Sequence, residues 1–417
     1  MSTPSIKVGQ GNWGIKAGNL LGYANTEKKF SPVEFTSTRA LNTATRVNAS
    51  GNIEIVNANI PRIDYFGGQA SLLVEPSAQN LALQSENFST TWSPVQLLAF
   101  GSGSVLNTTA TLDPYGTNVA DLIVGNTVSG TQHRVDQTTV SVSGSYTFSV
   151  FLKTAGYDFG RLRIGSAGGT FNLVSGTISS SDVGIIASIQ SYGNGWYRCI
   201  ISKAASSANE IVRINMLPTA TFADFAGDGT SGIYVFGAQY ETGSAATSYI
   251  PTTTAAVTRN ADVVSVTGVS SLLGQTSGTF YLDIAYTLRG ASSGNRWLEI
   301  SSATNNIGLA VAVTDIVRSI VNGSSDILAT PSTASEVKIA WGYDGSGVVL
   351  FVNGTQYTLT NGGAQVITAL DKVLIDMSST PGTRIVSARI RAISCYQTRL
   401  PNTTTDGSPS LQSITTL

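Results

Sequence analysis

The stretch GVVLFVNGTQYTLT (347–360) constrains this chain more than any other. Asn-Gly between two runs of alternating apolar and polar residues is the short-range signature of a two-residue type I′ hairpin turn, because both central residues must adopt positive φ. With Asn353-Gly354 at the turn, Val352 opposes Thr355, Leu350 opposes Tyr357 and Val348 opposes Leu359. Val348, Leu350, Val352, Tyr357 and Leu359 then share one face, and a slip of one residue would turn that face to solvent. A chain that fixes this register commits itself to an antiparallel sheet.

Composition extends that reading to the whole chain. Of 417 residues only 12% are charged, and the formal net charge is −1; roughly 25% is usual. Gly, Ser, Thr, Asn and Val fill the space, which is strand and turn chemistry. The 41% of hydrophobic residues is enough for sizeable cores, and the length suits two or three domains. The predicted class is all-β. No basic stripe is present, so no nucleic acid partner is expected. No apolar run approaches a membrane span, so no membrane insertion is expected. The opening MSTPSIKVGQGNWGIKAGN lacks the charged-then-apolar order of a signal peptide. Cys199 and Cys395 lie far apart, and both are expected as reduced, buried thiols.

Residues 1–78 carry short candidate strands (VEFTSTRAL, GNIEIV, RIDYF) and too few apolar residues for a core of their own. They must lean on the next domain or on another protein. Their apolar side chains, Trp13, Leu20, Leu21, Tyr23 and Phe30, are the candidates for an oligomer or attachment interface. Residues 79–256 read as an antiparallel sandwich, with strands in SYTFSVFLKT, GWYRCIISKA, IVRINMLPTA and GIYVFGAQYE. Residues 257–417 read as a second. There, RIVSARIRAISCYQTRL is a long last strand with Ile390, Ala392 and Ser394 alternating against Arg389 and Arg391, and SPSLQSITTL predicts a short helix with Ser408 as N-cap. Between the two, the bland GSAATSYIPTTTAAVTR (243–259) reads as a joint lying on the protein surface, kept from pairing as a central strand by Pro251. A Thr-Arg-Asn order occurs there at Thr258-Arg259-Asn260 and again, interrupted, at Thr45-Arg46-Val47-Asn48.

Motifs for chemistry are sparse. His133, the only histidine, has no nucleophile elbow or oxyanion loop beside it. One histidine and two distant cysteines make no zinc site. Asp224, Asp228 and Asp344 sit in Asp-Gly-type turns without the EF-hand ligand order, and calcium at a sandwich rim stays open. Glu86, Glu210, Glu241 and Glu299 are scattered, where glycosidases need two carboxylates about 5 to 10 Å apart. No catalytic residue, metal or cofactor is expected. Sugar binding needs flat aromatic faces, and Tyr157, Tyr192 and Tyr343, near predicted turns, are the candidate glycan contacts; Trp92, Trp196 and Trp341 read as core.

Four segments, LLVEPSAQNLALQSENFSTTW (72–92), YGNGWYRC (192–199), GAQYETGSAATSYIPTT (237–253) and VTRNADVVSVTG (257–268), together resemble a module of tailed-bacteriophage virion proteins, the head-fibre, tail-fibre or minor structural type with carbohydrate-binding-like jelly rolls. ATRVNASGNIEIVNANIPRIDY (44–65) resembles the segment that precedes that module, and KIAWGYDGSGVVLFVNGTQYTL (338–359) resembles a concanavalin/laminin-G-type sandwich. The resemblance begins at about residue 40. It implies two antiparallel β-sandwich (jelly-roll/concanavalin-like) domains after an extended N-terminal attachment segment. It implies a non-enzymatic fibre or capsid-decoration subunit, made in the host cytoplasm and located in the virion. The partners expected are a homo-oligomer (trimer first, dimer second), a capsid or tail protein held by the N-terminal segment, and host-surface polysaccharide. The alternatives are a tail-spike-type glycan depolymerase and a ligand-free spacer.

Overall fold

The computed structural model describes residues 3–10, 13–26, 29–139, 144–204, 210–288, 296–302, 306–311, 317–321, 324–327, 336–357, 359, 367–376 and 385–416. The chain is all-β, built from antiparallel ladders, and among the described residues the one α-helix is Leu411–Thr415. It divides into two compact units. The first holds residues 1–42, 56–77 and 260–417; the second holds 43–55 and 78–259. The chain crosses between units after residues 77 and 259, close to the divisions expected at 78 and 256, but most of the N-terminal segment completes the C-terminal sandwich and does not stand apart.

In the first unit, the strand Ile385–Tyr396 pairs on one edge with Gly278–Leu288. Its other edge carries two strands end to end: Ile6–Gly9 against residues 392–395, and Ser71–Val74 against 388–390. Ile6–Gly9 continues to Asn19–Thr26, which pairs with Lys29–Thr38. That last strand turns a corner, because Thr36, Ser37 and Thr38 pair instead with Val263–Thr267 in the second sheet. Ile6, Val8, Leu20 and Phe35 thus join Leu282, Trp341, Leu350 and Ile390 in one core.

The hairpin has the register its sequence specifies. Leu350 opposes Tyr357, Val352 opposes Thr355, and Asn353 and Gly354 have φ of 48° and 77°. Val348, Leu350 and Val352 face the core; Thr358 and Thr360 lie outside the described residues. The last strand departs from simple alternation. Its pairing shifts between Ile390 and Ala392, so Arg391 bulges out. Ile390 then shares a core with Ile393 and Cys395, while Ala392 packs in a separate cluster with Tyr396 and Leu411. The terminal helix begins two residues later than expected. Ser410 and not Ser408 is its N-cap, because Ser413 three positions on returns a reciprocal hydrogen bond.

A buried ion network sits where the chain enters and leaves this unit. Arg39 donates to Asp262 (3.0 Å) and to the carbonyls of Val56 (3.2 Å), Asn57 (2.6 Å) and Ile60 (3.0 Å). Arg62 bridges Glu75 (2.8 Å) and Asp262, and the Glu75 amide donates to Asp262 (2.9 Å). Residues close to 42, 56, 77 and 260, the four crossings between units, are therefore cross-linked by charge. Removing one partner of such a set leaves a buried charge uncompensated, which typically costs about 3–5 kcal/mol.

The second unit is a two-sheet sandwich. One sheet has the order Ser93–Val95, His133–Thr138, Ile211–Leu217, Phe159–Ile164, Ala167–Asn172, Thr177–Ser181. The other has the order Asp121–Val124, Gly232–Thr242, Tyr146–Ala155, Tyr197–Lys203, Ile185–Ser191. Alternation puts Phe148, Val150, Leu152, Leu162, Ile164 and Ile214 between them. Cys199 lies in this core and Cys395 in that of the first unit, both as free thiols.

Residues 247–252 of the bland segment form a buried cover, and 253–256 are exposed. Thr247, Tyr249, Ile250 and Thr252 are all buried. Glu241 accepts from the amide and hydroxyl of Thr247 (2.9 and 2.8 Å), Gln239 accepts from the Ile250 amide (2.7 Å), and Arg198 donates to the Thr247 carbonyl (2.7 Å). Hydroxyl and small side chains suit this role, because the segment must pair its backbone with side chains of the sheet it covers.

Candidate functional site

The expected glycan contacts separate. Tyr343 is 2% exposed, its hydroxyl donating to the Gly274 carbonyl (2.6 Å), and Tyr157 is 6% exposed, edge-on to Phe225. Both are core residues, and their reading as glycan contacts is corrected: each ring was wanted by an adjacent core more than by solvent. Tyr192 is half-buried at a surface. The interface candidates separate as well. Leu20 is 1% exposed and Trp13 packs on the same core, donating from Nε1 to the Ala70 carbonyl (3.0 Å). Leu21 is half-buried and Tyr23 is 37% exposed. The backbone of Phe30 pairs with Asn25, and its side chain lies outside the described residues.

Tyr192 belongs to an aromatic patch on the outer face of the five-stranded sheet. A bulge makes it. At Gly237 (φ 62°) the pairing of Tyr146–Ala155 with Gly232–Thr242 shifts by one residue, and a Cβ on Gly237 would lie 2.8 Å from the Phe151 ring. Phe151 and Phe236 are thereby turned outward together, away from the sandwich core, with ring centroids 5.8 Å apart. Tyr192 stands edge-on to Phe151 (4.8 Å) and Tyr115 edge-on to Phe236 (5.2 Å). Trp196, anchored by Nε1 to the Leu112 carbonyl (2.7 Å), supports Tyr234 at 6.5 Å. Three half-buried tyrosines, at 115, 192 and 234, thus ring a floor of buried aromatics. Sequence reasoning found Tyr192 and missed Tyr115 and Tyr234, whose approach depends on a loop and a bulge.

Polar groups converge on the patch. Tyr249 donates to Glu86 (3.0 Å), shares a hydrogen bond with Ser85 (2.7 Å), and its backbone carbonyl accepts from Thr45 (2.6 Å). Burial raises the Glu86 carboxyl above its ordinary range, partly offset by the phenols of Tyr249 and Tyr115 beside it. The nearby Asp113 carboxylate is fully engaged: it accepts from the amides of Tyr115 (2.7 Å), Thr117 (3.1 Å) and Val119 (2.8 Å) and from the Thr117 hydroxyl (2.8 Å). Lys153 donates to Thr111 (2.9 Å).

The other chemical candidates have local structural roles. His133 is buried against Phe225, its Nε2 at 3.0 Å from the Asn126 carbonyl. Asp228 and Asp344 accept from Ser231 and Ser346 in their own turns. Among the described residues no group of three His, Cys, Asp or Glu comes together to hold a metal ion.

No family model and no curated protein matches the chain. Solved structures with which it superposes include Trypanosoma rangeli sialidase in complex with sialic acid, at 8% identity and a TM-score of 0.26, covering 93% of this chain and 60% of the sialidase. A GH43 protein from Bacillus licheniformis follows at 8% identity and 0.23, covering 95% and 99% of the two chains. A xylan beta-1,4-xylosidase from Bacillus halodurans C-125 follows at 9% and 0.21, covering 95% and 100%. The chain spans about 60% of the sialidase's length, and superpositions this loose carry no argument about mechanism. By name they include a sialidase and a xylosidase, against the expectation that the chain is not an enzyme.

Proposed function

We propose that this protein binds glycans through the tyrosine-rimmed face of its second unit, as a fibre or decoration subunit of a tailed-phage virion. The observation that carries the glycan reading is the Gly237 bulge, which turns Phe151 and Phe236 outward beneath Tyr115, Tyr192 and Tyr234. Apolar ring faces beside amide, hydroxyl and carboxyl groups are what a pyranose stacks on and hydrogen-bonds to. The virion placement rests on the residues that resemble phage fibre modules, and with it go the partners: further copies of the chain, trimer before dimer, and a capsid or tail protein. A glycan array probed with the full chain and with Tyr192→Ala tests the site. Binding of one glycan class that falls at least ten-fold in the variant is expected; no binding, or equal binding by both, overturns it.

A second reading, glycan cleavage, is favoured by Glu86 alone. Burial raises the Glu86 carboxyl above its ordinary range beside these rings, which is the direction in which a general acid is tuned. Against it, Asp113 has no lone pair left to serve as base or nucleophile. Release of reducing ends from bacterial capsular polysaccharide, lost in Glu86→Gln, is the result that supports cleavage.

A further inference from the structure

The opposite sheet of the same unit carries a different surface. Its outer face is a two-row array set by strand register. Arg134, Asn215, Arg161 and Thr170 lie side by side in one row, and Asp136, Arg213, Arg163 and Gly168 in the next. Four guanidinium groups therefore share one patch with two carboxylates, Asp136 and Asp182. Arg134 and Arg213 both lean on Asp136 (2.9 and 3.5 Å), and Arg161 pairs with Asp182.

Arg163 differs. Among the described residues it forms no ion pair; its Nη1 donates to the Gln132 amide oxygen (3.0 Å), and its buried Nε, like those of Arg161 and Arg213, has no acceptor. Its stem runs over Gly168, where a Cβ would lie 2.6 Å from Arg163 Cγ and 2.1 Å from the Leu162 carbonyl oxygen. Burial first, then Arg213, Arg161 and Arg134, push its pKa down to about 10. Phe222 covers Arg161 and Arg163, with guanidinium carbons 4.4 and 5.1 Å from the ring centroid. Below them the Asn215 amide oxygen, fully buried, has no donor.

Gathering like charges on a half-buried face is unfavourable unless something of opposite charge joins them. An acceptor-free Arg163 Nε and a donor-free Asn215 oxygen on one face ask for a ligand that carries an anion together with hydroxyls or bridging water. We propose that this face binds a carboxylate-bearing sugar residue of an acidic polysaccharide. The carboxylate meets Arg163 and Arg213 in the fork geometry that guanidinium favours, the sugar ring lies against Phe222, and a hydroxyl or water satisfies Asn215. The acidic saccharide extends the glycan reading, but the site is on the other sheet and shares no residue with the tyrosine face.

The test is titration calorimetry of the full chain with oligogalacturonate, neutral dextran oligomers and inorganic sulfate, for the wild type, Arg163→Gln and Tyr192→Ala. Expected is oligogalacturonate binding that weakens at least ten-fold in R163Q, persists in Y192A, and declines with salt. Ligand-free R163Q should melt no lower than the wild type, since it loses a repelled charge. Equal oligogalacturonate binding by wild type and R163Q, or none by either, overturns the proposal. So does sulfate binding as tight as the saccharide's, which marks a simple anion site, or an R163Q chain that melts lower and binds unchanged, which marks a structural cation. Failure of Y192A to alter neutral-glycan binding would remove the tyrosine site and leave this one standing.

Discussion

Asp121 shows how a single residue can set a pH dependence that composition hides. It is fully buried at the start of Asp121–Val124, and its oxygens accept from the amides of Phe88 (2.9 Å) and Asn107 (3.0 Å). Burial outweighs those bonds and raises its pKa to about 6. The unfolded value is about 3.9, so the folded state holds the proton more tightly. Below the unfolded value the residue is protonated in both states and has no effect. As pH rises through the folded value, stability falls, and above it the loss is complete, on the order of 2–3 kcal/mol. Urea unfolding from pH 4 to 7 should show that decline in the wild type and a flatter profile in Asp121→Asn. Parallel profiles would refute it. The residue was silent in the sequence, because an Asp before an apolar run reads as a strand boundary; only the packing of Phe88 and residue 107 over it makes it dry.

Among elements, the hairpin is the most legible. Asn353-Gly354 demands positive φ, and alternation on both sides leaves one register, so Leu350 could be placed in the core from local sequence. Leu350→Ala should destabilise the first unit by about 2–5 kcal/mol, read by chemical denaturation; a neutral variant would mean that the site collapses around the lost methyls. The long strand Ile385–Tyr396 is less legible, because its alternation is broken at Arg391. Arg391 leaves the ladder to pair with Asp283 (2.7 Å) and Glu336 (2.9 Å). Those partners come from other strands, so nothing local announces the bulge. The Gly237 bulge is similar: a glycine in an apolar run permits one, but which side chains it turns outward depends on the facing strand.

For the whole molecule, the N-terminal residues invert one expectation. Ile6, Val8, Leu20 and Phe35 are core residues of the unit that also contains the C-terminal strands. Removing residues 1–42 should therefore uncover an edge of Ile385–Tyr396 and open that core, and the first unit should lose its cooperative melting transition. The second unit begins at residue 43 and should keep its own. Calorimetry of the truncated chain would show one transition in place of two; two intact transitions would mean that these strands are dispensable. Light scattering on the same samples reads the proposed trimer directly.

The all-β class, the antiparallel ladders and the hairpin register follow from the sequence itself, because strand alternation and positive-φ turns are properties of neighbouring residues. Tyr192 could be nominated because a tyrosine beside Gly-Asn-Gly favours an exposed turn. The sharing of strands between distant parts of the chain, the buried Arg39–Asp262–Arg62–Glu75 network and the two-row arginine face were decided by tertiary structure alone. Each depends on which strand lies beside which. Pairing partners hundreds of residues apart are chosen by the burial of a whole core, and no local pattern carries that information.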